Sequence, residues 1–277
     1  MRAIVGLAAV TALLGAAAGC GADGGGESII GKDGLVIGVK PDQPGLGIRE
    51  SNGTYVGFDV DVARYIAREL GVTDPKFVSA PSSKREDMIR DGEVDMVVAT
   101  YSITPQRKTK VAFGGPYYVA HQDTLVRANE TAIDNVRDLR GRKLCEVTGS
   151  NSWRRVKEER KIAVDLVQSP SYSDCMTKLK SGAVDAVSTD DLILAGFASS
   201  AGRSVRIINA PISDERYGVG IKQSDIDGCE AINKAITKMY QDGTAAKLLE
   251  KWFGKTSLTL TDSVPQFEGC GEGRDSE

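Results

Sequence analysis

The chain has 277 residues, of which 41% are hydrophobic and 26% are charged, and its formal net charge is -3. This composition is that of a folded globular protein with enough length for two hydrophobic cores, and it excludes a disordered chain. No long basic run occurs, so a nucleic-acid partner is not expected. The single histidine, His121, excludes most metal sites and any catalytic group that needs two histidines. We therefore expect no metal ion and no other cofactor.

The first twenty residues have the pattern of an export signal. Arg2 gives a positive start, residues 3–18 are apolar, and small residues precede Cys20. The ending AAGC resembles the lipobox of bacterial lipoproteins, in which the cysteine is lipidated and becomes the first mature residue, although Ala17 stands where leucine is usual. An ordinary secretory signal is the alternative. The glycine-rich residues that follow suit a flexible tether, which we expect over residues 21–33.

Four cysteines remain after Cys20. They are Cys145, Cys175, Cys229 and Cys270. An even number of cysteines in an exported chain favours disulfide bonds over metal ligands or thiol catalysis. Three pairings of the four are possible from the residues alone.

Strand and helix patterns alternate along the rest of the chain. Short apolar runs predict strands over residues 35–40, 76–80, 94–99, 143–147, 205–208 and 217–221. Helical spacing of apolar residues predicts helices over 58–70, 85–90, 173–180, 191–198, 225–241 and 244–253, and another after Asp134. In the first of these helices the apolar residues lie four apart, which places Asp59 on another face. The alternation predicts an α/β fold whose ligands bind beyond the carboxyl ends of largely parallel strands.

The stretch that organises the candidate site runs from Thr100 to Arg107. An apolar strand ends there in hydroxyl residues, and Arg107 follows Ser102 by five positions, so that a short helical turn can fold it back over the strand end. A guanidinium, a hydroxyl and free backbone amides around one point form a receptor for a small carboxylate, since arginine offers two parallel donors to its two oxygens. A surface arginine at a helix start is the alternative.

The second half of the chain repeats this pattern. The sequence RDGEVDMVVAT at 90–100 and the sequence KSGAVDAVSTD at 180–190 both run from a helix end through glycine and Val-Asp into an apolar strand with a polar end. The shared pattern predicts two equivalent lobes, each with a polar cluster at a strand end.

Several motifs in order resemble those of the family 3 extracellular solute-binding proteins of ABC amino-acid importers. The resemblance covers about residues 34–254 and is carried by GFDVDVARYIARELG, ATYSITPQRKTKVAFGGPYYVA, TGSNS, GAVDAVSTDD, RYGVGIK and LLEKWFG. Within the family, the loop DQPGLG and the dipeptide Lys84-Arg85 look most like those of actinobacterial glutamate-binding lipoproteins.

The resemblance implies a two-lobed fold of the periplasmic-binding-protein type II, in which each lobe is a mostly parallel sheet flanked by helices and two strands form the hinge. Lobe 1 would comprise residues 27–119 and 220–277, and lobe 2 residues 122–216. We favour Cys145 with Cys175 and Cys229 with Cys270, because each bond would then lie within one lobe. The resemblance further implies a monomer on the outer face of the cytoplasmic membrane, held there by its N-terminal lipid, that delivers an amino acid to an ABC permease and is not an enzyme.

Site residues are carried over by position. Arg107 should hold the ligand α-carboxylate with Ser102 and, from lobe 2, Ser150. Asp190, beside Thr189, should pair with the α-ammonium, with Thr100 or the Ala99 carbonyl as a further acceptor. A buried zwitterion needs both partners, or its desolvation is uncompensated. The alternative for Asp190 is the N-cap of the following helix.

The ligand side chain should meet two more basic residues, Lys40 and Arg85. Together with Arg107 they place three cations around a pocket that has one carboxylate, Asp190. A ligand with one ammonium and two carboxylates, namely L-glutamate and also aspartate, suits that arrangement. The alternative for Lys40 and Arg85 is that they point to solvent. Glutamine, asparagine or another polar amino acid remains the alternative ligand, and an enzyme similar to cyclohexadienyl dehydratases on the same fold is the alternative function.

Overall fold

The computed structural model describes residues 28–261 and 263–271. The predicted export signal, the predicted lipidation site Cys20 and the tether residues 21–27 lie outside the described residues.

Strands and helices alternate as the sequence patterns predict. The strands are β1 (Val36–Val39), β2 (Asp42–Gln43), β3 (Gly47–Arg49), β4 (Tyr55–Val56), β5 (Lys76–Ser79), β6 (Met96–Val97), β7 (Ala112–Arg127), β8 (Lys143–Val147), β9 (Asp165–Ser169), β10 (Ala186–Asp190), β11 (Val205–Ile207) and β12 (Ser213–Ile221). The α-helices are α1 (Phe58–Glu69), α2 (Arg85–Arg90), α3 (Pro105–Lys108), α4 (Ser152–Arg154), α5 (Tyr172–Ser181), α6 (Asp191–Ala201), α7 (Ile226–Gln241) and α8 (Thr244–Phe253). The helix predicted after Asp134 is only a 3-10 turn, Val136–Leu139.

The larger sheet contains two parallel sets of strands joined by two antiparallel strands. Its order is β5-β1-β6-β12-β7-β10-β8-β9, with β11 also paired to β7. Strands β5, β1 and β6 run parallel, and so do β10, β8 and β9, whereas β12 and β7 are antiparallel to each other and to their neighbours β6 and β10. We refer to the part around β5-β1-β6 as lobe 1 and to the part around β10-β8-β9 as lobe 2. The predicted α/β fold class is confirmed.

Strand β7 is the longest element that joins the lobes. Its sixteen residues pair with β12 over Ala112–Gln122 and with β10 over Gln122–Val126. The resemblance implied a change of lobe between residues 119 and 122, but the sequence patterns predicted no strand here, and the Gly-Gly-Pro run within β7 is unfavourable in a strand. The register shifts at that run, where residues 115–117 of β7 oppose the single residue Gly218 of β12, and the ladder continues past it.

A second, three-stranded sheet of β2, β3 and β4 forms where the sequence predicted a Pro/Gly loop. Its strands have only two or three residues, too few for a periodicity to show. This small sheet places residues 40–47 beside the carboxyl end of β1, at the edge where the candidate site lies.

Two disulfide bonds have the favoured pairing. The bond between Cys145 and Cys175 joins β8 to α5, and the bond between Cys229 and Cys270 joins α7 to the C-terminal segment. Each bond therefore links elements of a single lobe.

The first described residues pack on lobe 1. The Ser28 hydroxyl and the Ile29 amide both donate to the Asp225 carboxylate, at 2.7 and 2.9 Å, and Ile29 is buried. The end of the predicted tether, residues 28–33, therefore begins the folded lobe, as the predicted lobe bound at residue 27 implies. Among the residues that the structure describes, no helix combines the length and the apolar composition that crossing a membrane requires.

The two lobes contact each other on both flanks of the cleft between them. A Cβ atom on Gly149 of lobe 2 would lie 2.5 Å from the Ser83 amide nitrogen, and one on Gly196 would lie 2.0 Å from the Pro44 carbonyl oxygen. The Ser173 hydroxyl also donates to the Asp42 carbonyl at 2.9 Å. Such close backbone approaches are possible only where the residue lacks a Cβ, so this sequence permits the lobes to close tightly.

Candidate functional site

The candidate site lies between the lobes, where strands from both halves end. Lys40 follows β1, Thr100 follows β6 and Asp190 ends β10. Because the carboxyl ends of parallel strands meet at one edge of a sheet, residues far apart in the chain come together here. Lobe 1 contributes basic side chains to this edge, and lobe 2 contributes an acidic one.

A short helical turn places Arg107 over the end of β6, as the sequence predicts. Helix α3 begins after Thr104, whose hydroxyl accepts the Arg107 amide at 3.2 Å, and Pro105 occupies the first helical position. The Arg107 Nη1 then donates to the Ser102 carbonyl at 2.7 Å. Ser102 thus contacts Arg107 through its backbone rather than through its hydroxyl.

Two guanidinium groups lie together over one aromatic ring. The Arg85 and Arg107 guanidinium carbons are 4.1 and 5.0 Å from the centre of the Tyr101 ring, whose face attracts cations. Both groups also donate to the Gly149 carbonyl of lobe 2, at 3.4 and 3.1 Å. Burial and the neighbouring Arg85 charge lower the pKa of Arg107 to about 10. The positive charge of Arg107 is therefore disfavoured at this site unless an anion binds beside the two guanidinium groups.

Lys40 and Arg85 both point into the protein. They are 4% and 2% exposed, so the alternative that they face solvent is wrong. The Lys40 Nζ donates to the Ser82 hydroxyl at 2.5 Å, and the Arg85 Nη1 donates to the Ala99 carbonyl at 3.1 Å. Burial and the Arg85 charge hold the pKa of Lys40 well below its usual range. Three buried cations, with Arg107 at 7% exposed, thus line the lobe 1 side of the cleft.

The acidic residue on the other lobe is Asp190. Its carboxylate is buried and accepts the Tyr217 hydroxyl at 2.6 Å. Its backbone stands at the N-cap of α6, but its side chain makes no capping hydrogen bond, and Asp191 instead accepts the Leu192 amide at 2.7 Å. Burial and the nearby Glu215 carboxylate raise the pKa of Asp190 well above its ordinary value, and the Arg107 charge opposes this rise. The side-chain capping alternative for Asp190 is therefore wrong.

The other predicted residues of lobe 2 belong to a cluster of hydroxyl groups. The Ser152 hydroxyl lies 3.0 Å from the Tyr172 hydroxyl and donates to the Thr189 hydroxyl at 3.2 Å. Ser150 lies in the loop that carries Gly149 and lines the same cavity as Arg107. These hydrogen bonds hold the loop that carries Ser150 against β10, which carries Thr189.

Thr100 is held in an uncommon backbone conformation. Its φ is +44°, which is rare for a β-branched residue. The Thr100 hydroxyl donates to the Ala99 carbonyl at 2.8 Å and to the Gln43 Oε1 at 3.1 Å. The Gln43 Nε2 is buried and makes no hydrogen bond within the described residues. Gln43 is therefore a candidate donor at the site that the sequence patterns did not single out.

Asp59 is the largest departure from the sequence-based expectation. The helical period places it on a different face of α1 from the apolar residues, yet it is fully buried beneath the site and accepts the Tyr117 hydroxyl at 2.8 Å and the Thr100 amide at 2.8 Å. The helical period cannot reveal this, because both donors come from strands distant in the sequence. Helix α1 thus has a buried polar contact beside its apolar face.

The cleft opens to solvent next to Arg107. A cavity of about 560 Å³ lies there between the lobes, lined on one side by Glu86 and Arg107 and on the other by Ser150 and Arg155. Within the described part of the chain, no three histidine, cysteine or acidic side chains are grouped so as to hold a metal ion. The chemistry of the site is therefore that of opposed charges: cations on one lobe and a carboxylate on the other.

Comparison with known proteins places the chain in one family. The model of the bacterial extracellular solute-binding proteins, family 3, matches residues 35–255. The chain is 39% identical to the glutamate-binding protein GluB of Corynebacterium glutamicum, over 92% of this chain and 94% of that one. It is 34% identical to the ABC transporter glutamine-binding protein GlnH of Bacillus subtilis, over 79% of this chain and 81% of that one.

Solved structures show the same architecture. An ancestral arginine-binding protein bound to arginine superposes with a TM-score of 0.75 at 34% identity, covering 80% of this chain and 99% of that one. The two-lobed arrangement that the motifs predicted is thereby confirmed. With a family match over most of its length and relatives that span nearly all of it, the chain belongs to the bacterial extracellular solute-binding proteins, family 3.

Proposed function

We propose that the protein captures L-glutamate, and also aspartate, between its lobes and presents it to an ABC permease. The observation that carries this proposal is that Lys40, Arg85 and Arg107 are buried on lobe 1 opposite the buried Asp190 carboxylate of lobe 2. The nearby Glu215 carboxylate, which is also buried, is already paired with Arg155. The names of the relatives support an amino-acid ligand, and two of them differ in whether that ligand is glutamate or glutamine.

The charge count favours an acidic side chain. The Arg107 Nε is 3.6 Å from the Glu86 carboxylate, and Lys40 and Arg85 hydrogen-bond to neutral oxygens. A ligand with two carboxylates and one ammonium offsets the cations and also pairs with Asp190. Glutamine has a neutral side chain and leaves a buried charge without a partner, which typically costs about 3–5 kcal/mol.

Each predicted residue has a role in this proposal. Arg107 holds the α-carboxylate, with Ser102 and the Ser150 loop beside it, and Asp190 holds the α-ammonium. The residues assigned to the ligand side chain are Lys40 and Arg85, and those assigned to further polar contacts are Thr100 and Thr189. Because Arg85 and Arg107 both donate to the Gly149 carbonyl, the ligand oxygens would replace that carbonyl as acceptor.

Closure of the lobes follows from placing opposite charges on opposite lobes. A ligand that needs both Arg107 and Asp190 favours the state in which both lobes touch it. Strands β7 and β12, which join the lobes, are the hinge in this proposal. Contacts between the lobes, such as that of Gly196 with Pro44, then stabilise the loaded form.

The protein acts as a carrier rather than as an enzyme in this proposal. Its relatives are named as binding proteins, and a pair of charges that clamps both ends of an amino acid keeps it unreacted. We further infer a monomer on the outer face of the cytoplasmic membrane, anchored through lipid on Cys20. The extracellular family supports export, and the AAGC ending supports the anchor.

Calorimetry on the purified protein tests the ligand. We expect heat on adding glutamate or aspartate, and binding of glutamine that is weaker by about a hundredfold or more because a buried cation stays unpaired. Heat with glutamine, arginine or histidine but not with glutamate or aspartate would contradict the charge argument. Incubation with prephenate or arogenate, with no turnover expected, checks the enzyme alternative.

Two arginine variants separate binding of the amino acid from choice of its side chain. We expect Arg107→Met to abolish binding of glutamate and of glutamine, since both carry an α-carboxylate. Arg85→Met should weaken glutamate binding by about tenfold or more and change glutamine binding little. Arg90→Met is the matched control, because Arg90 lies on the same helix α2 with an exposed side chain. An unchanged ratio of glutamate to glutamine affinity in Arg85→Met would refute the side-chain assignment.

Gly196→Ala separates closure from folding. Alanine suits the interior of α6 better than glycine by about 1 kcal/mol, so the thermal unfolding midpoint should stay equal or rise. The added methyl group would meet the Pro44 carbonyl, so glutamate affinity should fall, and small-angle scattering with saturating glutamate should give a larger radius than the wild type. Ser199→Ala, at an exposed position of the same helix, is the control. Wild-type affinity and radius in Gly196→Ala would show that this contact is absent from the loaded form.

Cys20→Ser tests the anchor. Cells that express the wild-type chain and are fed labelled palmitate should yield labelled protein in the membrane fraction. The Cys20→Ser chain should be unlabelled and should leave that fraction, because serine cannot take the lipid. Retention of the variant in the membrane fraction would disprove anchoring through this residue.

A further inference from the structure

Asp59 lies directly behind the candidate site without facing the cleft. It belongs to the first turn of α1 and is fully buried. One carboxylate oxygen accepts the Tyr117 hydroxyl from β7 at 2.8 Å, and the other accepts the Thr100 amide at the end of β6 at 2.8 Å. The carboxylate therefore ties together three elements that converge on the site.

The Thr100 turn depends on this carboxylate. A β-branched residue at a φ of +44° is strained, and such a conformation persists only where the surroundings hold it. The amide of Thr100 is bound by Asp59, its hydroxyl is bound by Gln43, and the Ala99 carbonyl before it accepts from Arg85. The Thr100 turn is therefore held by Asp59 on the side away from the cleft and by Gln43 and Arg85 on the side of the cleft.

Three titratable groups act on the Asp59 carboxylate. Tyr117 on β7 donates a hydrogen bond to it, and the charges of Lys40 after β1 and of Arg85 on α2 favour its ionised form. Tyr217 on β12 lies within reach of the Asp59 charge. The Lys40 Nζ is directed to Ser82 instead of Asp59. The Asp59 carboxylate thus lies behind Lys40 and Arg85, with no direct ion pair to either among the described residues.

Burial raises the pKa of Asp59 to about 7, and the hydrogen bonds from Tyr117 and Thr100 limit the rise. The charge of Asp59 therefore changes near neutral pH. Most exposed carboxylates are fully ionised there.

We propose that Asp59 is a positioning residue of this site, which holds the Thr100 turn and whose charge sets the affinity for an acidic side chain. The inference rests on the proposed function. Ionised Asp59 partly neutralises Lys40 and Arg85 and so weakens their attraction for the ligand carboxylate. Protonated Asp59 leaves those cations unopposed. Because such coupling is reciprocal, an acidic ligand raises the proton affinity of Asp59, and a proton enters the protein with the ligand.

Calorimetry with glutamate and with glutamine between pH 5.5 and 8.5 tests the inference, using wild type, Asp59→Asn and Tyr117→Phe. Wild-type affinity for glutamate should rise as the pH falls through about 7, by at most about tenfold per pH unit for one proton. Glutamine affinity should change less, since its side chain is neutral. Repeating the titration in buffers of different ionisation enthalpy should show uptake of a fraction of one proton per glutamate near pH 7.

Asp59→Asn keeps an amide oxygen for the Thr100 amide and removes the charge. We expect it to bind glutamate at pH 8 as tightly as the wild type does at pH 6, with a flat pH profile and no proton uptake. If Asp59 has a purely structural role, the substitution should weaken glutamate binding at every pH and leave the dependence of affinity on pH unchanged. Tyr117→Phe removes one hydrogen bond from the ionised carboxylate, so its transition should move to higher pH, which keeps the test decisive if Asp59→Asn does not fold.

His121→Gln is the control at the single histidine of the chain. His121 is half exposed and pairs with Asp214 outside the cleft, so the dependence of glutamate affinity on pH should not change in this variant. If Asp59→Asn retains the wild-type pH dependence and proton uptake, the titration belongs to another group, and the inference is overturned while glutamate binding stands. If the wild type binds glutamine but not glutamate, the proposed function and this inference both fall.

Discussion

Three positive charges are buried next to one another on a single lobe, and the rest of the site follows from how the protein tolerates them. Lys40, Arg85 and Arg107 are all nearly inaccessible to solvent. The face of Tyr101 and a few backbone carbonyls compensate part of the desolvation, yet the pKa values of Lys40 and Arg107 are still lowered. Neutral acceptors offset a buried charge less well than an anion does. The cluster is therefore complementary to a ligand that brings negative charge.

The fold places these three cations on lobe 1 and the Asp190 carboxylate on lobe 2. Asp190 stands at the end of β10 on lobe 2, and within the described residues strands β7 and β12 alone carry the sheet from one lobe to the other. A ligand that satisfies both signs of charge must therefore contact both lobes. In the proposed function, ligand binding and closure of the lobes are therefore coupled, and the glycines at the lobe contacts, Gly149 and Gly196, allow the backbones to approach closely.

Behind the cleft, a second layer of polar groups determines where the cleft atoms lie. Asp59 and Tyr117 hold the amide of Thr100, and the hydroxyls of Ser152, Tyr172 and Thr189 hold the loop of Gly149. These groups are buried and hydrogen-bonded, so they are stiff supports for the residues that would touch a ligand. The Asp59 carboxylate also carries a charge that responds to pH, which links the support layer to the electrostatics of the cation cluster.

Local patterns in the sequence determined much of this protein: the alternation of strands and helices, the two related halves, and the turn that folds Arg107 over β6, since periodicity and the Thr104-Pro105 start act within a few residues. Only the tertiary structure decided that Lys40 and Arg85 point inward, that Asp59 is buried, and that β7 runs unbroken through both lobes. These features arise where distant segments meet: Asp59 meets Thr100, 41 residues away, and Arg85 meets Gly149, 64 residues away. A side chain's burial is set by what packs against it, and no short stretch of sequence contains both partners.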